Sequence, residues 1–111
     1  MPVARMLVEL RIPLARSLKD RRQVVRSIKD RLQHSFHLSV AEMDEAVTWQ
    51  SATLGMAAIS PSRDLLRSQM QQLEQAAQRM AEDLGAEVTD CWWEFLEAAA
   101  GDDDDSSTDP A

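Results

Sequence analysis

The chain has one cysteine, no tyrosine, three glycines and four prolines in 111 residues. One cysteine excludes an intramolecular disulfide and a zinc site built from cysteines, and it fits a reducing cytosol. The glycines, Gly55, Gly85 and Gly101, are too scattered to form a phosphate-cradling loop. With Gly and Pro sparse, 44% apolar residues and 28% charged residues, the chain is neither collagen-like nor disordered throughout. No apolar run approaches the roughly 18 residues of a membrane span. The opening MPVARMLVELRIP carries charges where a signal peptide needs its apolar stretch. These absences predict a cytoplasmic protein with no membrane partner. The length suits one domain, which can bury roughly two thirds of its unfolded surface without disulfides or metal.

Charge is present but unevenly placed. Residues 1–41 hold nine basic and three acidic side chains, a net of +6. Residues 42–111 hold three basic and sixteen acidic ones, a net of −13. Five of the acids, Asp102 to Asp105 and Asp109, fall in the last eleven residues. The acidic balance therefore describes a tail more than a body, and the body can still offer a basic face to an anionic partner.

The apolar periodicity predicts the order β-α-β-β-α-β. From Val3 to Ile12, Met6, Val8, Leu10 and Ile12 alternate with Arg5, Leu7, Glu9 and Arg11, a half-buried strand ended by Pro13. Ser17 is an N-cap with Asp20 three residues on, and an amphipathic helix follows with Leu18, Val25, Ile28, Leu32 and Phe36 on one face. A strand at His37–Met43 and a long one at Val47–Ile59 come next. Ser60 reads as the second helix's N-cap, with Pro61 at its first position and Gly85 at its C-terminal end. Its stripe is Leu66, Met70, Leu73, Ala77, Met80 and Leu84. Glu87 to Leu96 is the last strand, in a phase that leaves either Trp92 and Leu96 or Trp93 and Phe95 on a given face.

This order implies an α+β, ferredoxin-like sandwich: a four-stranded antiparallel sheet with both helices on one face. The domain covers 1–98, and 99–111 reads as a disordered acidic tail. The expected core sets Leu18, Val25, Ile28, Leu32, Leu66, Leu73, Ala77 and Met80 against Val8, Leu10, Val40, Leu54 and Met56.

Three stretches carry a family resemblance: Ser17, Leu18 and Lys19 with Arg21 and Arg22; Val40, Ala41 and Glu42; and Trp49 and Gln50 with Ala52, Leu54 and Gly55. Over about residues 5–98 the chain resembles the YlxP family of small uncharacterised bacterial proteins. The resemblance implies a ferredoxin-like fold and no known catalytic activity. Its genes often neighbour those for translation initiation and ribosome maturation, which implies a ribosomal setting by association. The Asp-rich tail and the Trp92–Trp93 pair depart from the family pattern.

Several residue groups invite a chemical reading. Lys19, Arg22, Arg26 and Lys29 are spaced three, four and three apart, so they form one row beside the apolar stripe. Such rows bind phosphates because each cation displaces a condensed counterion; the alternative is a solvated helix face. Arg21 falls at the angle of the apolar stripe and is expected to snorkel past the sheet edge. His34, His37, Glu42 and Asp44 contain metal-ligand types without a spacing that makes them converge. For Glu42 a cross-strand hydrogen bond near Gln50 is the simpler role. Cys91 reads as a small buried hydrophobe.

The sheet face away from the helices should carry Leu7, Gly55, Ala57 and Ile59. It lacks the central aromatics of an RNA-reading sheet, since Trp49 stands near the strand's start, and it reads better as a protein–protein surface, such as a homodimer contact. The sequence therefore predicts a non-enzymatic protein with no cofactor, no metal and no evident small-molecule substrate. Its partner is RNA bound through the basic helix row, ribosomal RNA by the family setting, or a ribosomal protein. The alternative is a homodimeric interaction module with no nucleic-acid role.

Overall fold

The computed structural model describes residues 1–96. The last two residues of the expected domain and the expected tail, with its Asp102–Asp105 run, lie outside the described residues. The elements are β1 (Val3–Arg11), α1 (Leu18–Phe36), β2 (Ser39–Glu42), β3 (Ser51–Ile59), α2 (Arg63–Asp83) and β4 (Glu87–Leu96). The strands form one antiparallel sheet in the order β2-β3-β1-β4. This is the ferredoxin-like β-α-β-β-α-β sandwich, with β1 and β3 central.

Alternation along the central strands builds the two faces. Ala4, Met6, Val8 and Leu10 of β1 and Ala52, Leu54, Met56 and Ala58 of β3 are buried under the helices. Their neighbours point the other way, where Leu7 stands opposite Gly55 on β3 and Trp92 on β4. From above, α1 contributes Val25, Ile28 and Leu32, and α2 contributes Leu66, Met70, Leu73, Ala76, Ala77 and Ala81. Met80 is half-buried at the margin of this core.

A β-bulge settles the phase of β4. Glu9 pairs with Asp90 but Leu10 pairs with Val88, so Thr89 is an extra residue. The bulge lets Val88 on one side and Cys91, Trp93 and Phe95 on the other all pack against the core. Trp93 and Phe95 meet edge to face, centroids 5.3 Å apart. The Arg63 guanidinium lies 3.9 Å from the Phe95 ring centre. Trp92 and Leu96 are left exposed on the open side.

Four local expectations are corrected. The N-cap of α2 is Ser62, whose hydroxyl accepts the Leu65 N–H at 3.2 Å, and not Ser60. Ser60 and Pro61 form the approach: the Ser60 N–H donates to the Pro2 carbonyl at 3.1 Å, tying the segment to the start of β1. The second correction is Leu18, which is 48% exposed, because it faces the β2–β3 connection at Val47 and Trp49 and not the core. Third, β2 is shorter than expected, since His37 adopts a left-handed conformation (φ 51°) to close α1. Last, β3 begins at Ser51, so Val47, Thr48, Trp49 and Gln50 lie in the connection that precedes it.

Candidate functional site

The site is built around the N-terminal half of α1. The Ser17 hydroxyl accepts the Asp20 N–H at 3.1 Å, and the Asp20 carboxylate in turn accepts the Arg16 N–H at 2.9 Å. These two bonds fix the helix start.

Arg21 then does what the sequence reading missed. It does not snorkel out; it is 5% exposed. Its Nε donates to the Ser51 carbonyl at 2.9 Å, one terminal nitrogen pairs with Glu42 at 3.0 Å, and the other pairs with Asp44 at 3.0 Å. The Asp44 carboxylate also accepts the Thr53 N–H at 3.0 Å. A planar fork of donors suits this three-way task, which a lysine could not perform. Glu42 therefore serves Arg21 and not a neighbour of Gln50, and in register it stands opposite Leu54. A cation at the apolar angle of a helix, followed some twenty residues later by two carboxylates two residues apart, was the available signal.

One residue further along the helix the situation reverses. Arg22, Lys19 and Arg26 are exposed and line one shallow concavity with Gln23, Ser27 and Asp30. Lys29 is half-buried and stands outside that concavity. Among the described residues none of these four cations forms an ion pair.

Beside the row, the connection from β2 to β3 is held at both ends. Asp44 holds its start through Arg21. Its finish is held by the Ile12 N–H donating to the Gln50 carbonyl at 2.8 Å, with the Thr48 and Ser51 hydroxyls 2.6 Å apart. Between these anchors Val47 and Trp49 stand out and form a bowl with Leu18 and Ser17.

The open sheet face is the second region. Leu7 and Gly55 are half-buried, while Ala57 and Ile59 are exposed. Leu7, Gly55 and Ala57 share a groove with Ala41, Met43 and Trp92. Met43 folds across the strand onto Gly55, so close that a Cβ there would lie 2.9 Å from the Met43 side chain. Arg5 pairs with Glu94 and lies 5.6 Å from the Trp92 ring centre.

The remaining candidates are dispersed. His34 lies in the cleft between the helices, with Arg79 and Asp83. His37 closes α1, and Glu42 and Asp44 are engaged by Arg21. Among the described residues no group of three or more His, Cys, Asp or Glu is arranged to hold a metal ion. Burial, with smaller contributions from Glu74 and Asp90, pushes the Cys91 thiol up to about 11. It is therefore a poor nucleophile at neutral pH. No described helix is long and apolar enough to cross a membrane.

Comparison with known proteins places this arrangement. Residues 3–91 match the family described as "Protein of unknown function (DUF503)". A Bacillus subtilis (strain 168) relative, "Uncharacterized protein YlxP", is 37% identical over 59 residues, which are 53% of this chain and 64% of the relative. The chain thus spans just under two thirds of that relative's length. Among solved structures, the Bacillus subtilis YXEP protein, a dinuclear metal binding peptidase of the M20 family, superposes with a TM-score of 0.57 at 12% identity. That likeness covers 85% of this chain and 25% of the peptidase. The de novo designed protein Foldit4 superposes with a TM-score of 0.51 at 5% identity, covering 88% of this chain and 99% of the design. At such identities both likenesses concern the fold alone. Neither the family description nor the YlxP relative names a catalytic activity. The family match runs from the first residue of β1 into β4, and the chain belongs to the DUF503 family, as the resemblance to YlxP implied.

Proposed function

We propose that this protein is a non-enzymatic RNA-binding protein that engages the phosphate backbone through the exposed row on α1. The observation that carries the reading is the contrast within two turns of one helix: Arg21 is buried and paired with two carboxylates, while Lys19, Arg22 and Arg26 share one exposed concavity without ion-pair partners among the described residues. Surface cations left unpaired keep their full attraction for a polyanion. Phosphate contacts position a protein without reading sequence, so the binding is expected to be weak and tolerant of sequence. The gene setting implied by the family resemblance favours ribosomal RNA.

The test is the salt dependence of binding to structured RNA. Three phosphate contacts, from Lys19, Arg22 and Arg26, give a log–log slope of about −2 to −3, and reversing Arg22 and Arg26 to Glu abolishes binding while leaving the circular dichroism melt unchanged. Equal, negligible affinity of both proteins at about 50 mM salt, where such contacts are strong, overturns the reading.

A second reading, of a homodimer, is favoured by the open face. Its apolar groove at Leu7, Gly55 and Ala57 continues to exposed Ile59 and Leu96, and contiguous apolar surface of this kind marks contact sites. Ala57→Glu then gives monomers by light scattering. A monomer in the unmodified protein at micromolar concentration ends it.

A further inference from the structure

The row of cations does not stand alone. At its N-terminal end lies the bowl formed by Leu18, Val47 and Trp49, which are 48%, 53% and 50% exposed. Three large apolar side chains are thus half in water at one place, and a tryptophan ring is among them. Leu18 and Arg22 are one turn apart on the same side of α1, so the bowl and the cationic concavity adjoin.

We infer that this bowl receives an unpaired nucleobase stacked on Trp49, while Lys19, Arg22 and Arg26 hold the flanking phosphates, so that the ligand is single-stranded RNA. The inference rests on the phosphate-binding reading of the α1 row and names the form of the ligand. Three observations carry it. First, an aromatic face beside a cationic track is the combination that binds single strands, because every base has a π-face and every nucleotide a phosphate. Second, from Lys19 to Arg26 the helix rises about 10 Å, the length of roughly three stacked nucleotides. Third, the bowl is preorganised. Arg21 holds Asp44 at the start of the loop and the Ile12 N–H holds Gln50 at its end, so Trp49 is presented by fixed backbone on both sides. The same bonds spend the charges of Glu42 and Asp44 on Arg21, which lowers the anionic field beside the row.

A duplex discriminates this idea from phosphate binding alone. Per unit length it carries twice the charge of one strand, but its bases are stacked inside and unavailable to Trp49. A purely phosphate-reading row therefore binds the duplex at least as tightly as the strand. A row with a stacking partner binds the strand more tightly.

The experiment measures binding of the full chain to three ligands by fluorescence anisotropy: a 12-nucleotide RNA strand, its duplex, and the same strand with abasic riboses. The expected order is strand over duplex and over abasic strand. Trp49→Ala weakens the intact strand by about 5- to 150-fold, the range for loss of one stacked base. It leaves the salt slope and the abasic affinity unchanged. If duplex and abasic strand bind as well as the intact strand, and Trp49→Ala changes nothing, the stacking inference falls while the phosphate reading stands. If none of the three ligands binds at about 50 mM salt, both fall. Should Trp49→Ala melt early, the abasic comparison on the unaltered protein decides the matter.

Discussion

The two helices lie side by side on the same sheet face, yet they are seated by different physics. α2 is held by apolar contact. Six of its residues, from Leu66 to Ala81, are buried hydrophobics, and it has no buried charge. α1 buries only Val25, Ile28 and Leu32 as hydrophobics, and its fourth buried side chain is Arg21. The first helix therefore depends on a polar clamp at its N-terminal end, where Arg21 ties it to the end of β2, the start of β3 and the connection between them. The comparison teaches that the first turns of α1 can carry exposed Leu18 and the cation row, because Arg21 reaches down to Glu42, Asp44 and the Ser51 carbonyl. An apolar side chain has no means of holding the β2–β3 connection in that way.

The sharpest way to break the comparison is to attack each helix at its own anchor. Leu73 of α2 is fully buried, and Leu73→Ala is expected to cost about 2–5 kcal/mol by urea titration, the transfer loss plus the cavity. The Arg21→Leu variant of α1 leaves two carboxylates without their cation. Both retain some access to water, with the Glu42 side chain 39% and the Asp44 side chain 13% exposed. The expected cost is therefore about 2–3 kcal/mol, below the roughly 3–5 kcal/mol for stranding a fully buried charge. If Arg21→Leu is neutral, the clamp does not seat α1.

Apolar periodicity made the fold legible. Strand alternation and the stripes of both helices named the large core side chains but missed the buried alanines Ala4, Ala15, Ala76, Ala81 and Ala86, and Gly85 was placed correctly at the end of α2. What stayed illegible depended on distant residues. The phase of β4 turned on a bulge at Thr89, which no local pattern announces. Leu18 matched the stripe by angle and failed by position, because periodicity does not show that the β2–β3 connection, and not the core, lies opposite the first turn of α1. Arg21 stood out by its angle, but its partners lie 21 and 23 residues away and became visible only when β2 and β3 were placed. The bowl at Trp49 was hidden because Val47 to Gln50 looks like strand continuation until the Asp44 and Gln50 anchors pull it aside.

Smaller effects separate the two helix ends. α2 closes with Gly85 at φ 77°, the Gly85 N–H donating to the Glu82 carbonyl at 3.1 Å and the Ala86 N–H to the Ala81 carbonyl at 2.8 Å. This paired closure is the Schellman arrangement, and buried Ala81 and Ala86 supply its apolar contact. Space is not the obstacle to a side chain at Gly85, where an added Cβ would meet Leu14 at 3.6 Å. The backbone angle is the obstacle. Gly85→Ala should therefore cost about 1 kcal/mol, measured by urea denaturation.

α1 meets the same demand with the wrong residue, and this gives the smallest effect and the opposite sign. His37 sits at φ 51°, ψ 51°, with one closing bond from its N–H to the Gln33 carbonyl at 3.0 Å. A side chain in this region carries a steric cost that glycine avoids, though glycine is also freer in the unfolded chain. The difference favours glycine by about 0.5 kcal/mol, so His37→Gly should raise the urea midpoint slightly with an unchanged slope. The imidazole is exposed and takes no part in the Arg21 clamp or the cation row, so RNA affinity should not move. A gain in stability at His37 beside a loss at Gly85 would show that both helices make the same left-handed exit and differ only in how well each residue suits it. A loss at both positions would mean that the His37 side chain supports the start of β2 in a way its backbone angle does not reveal.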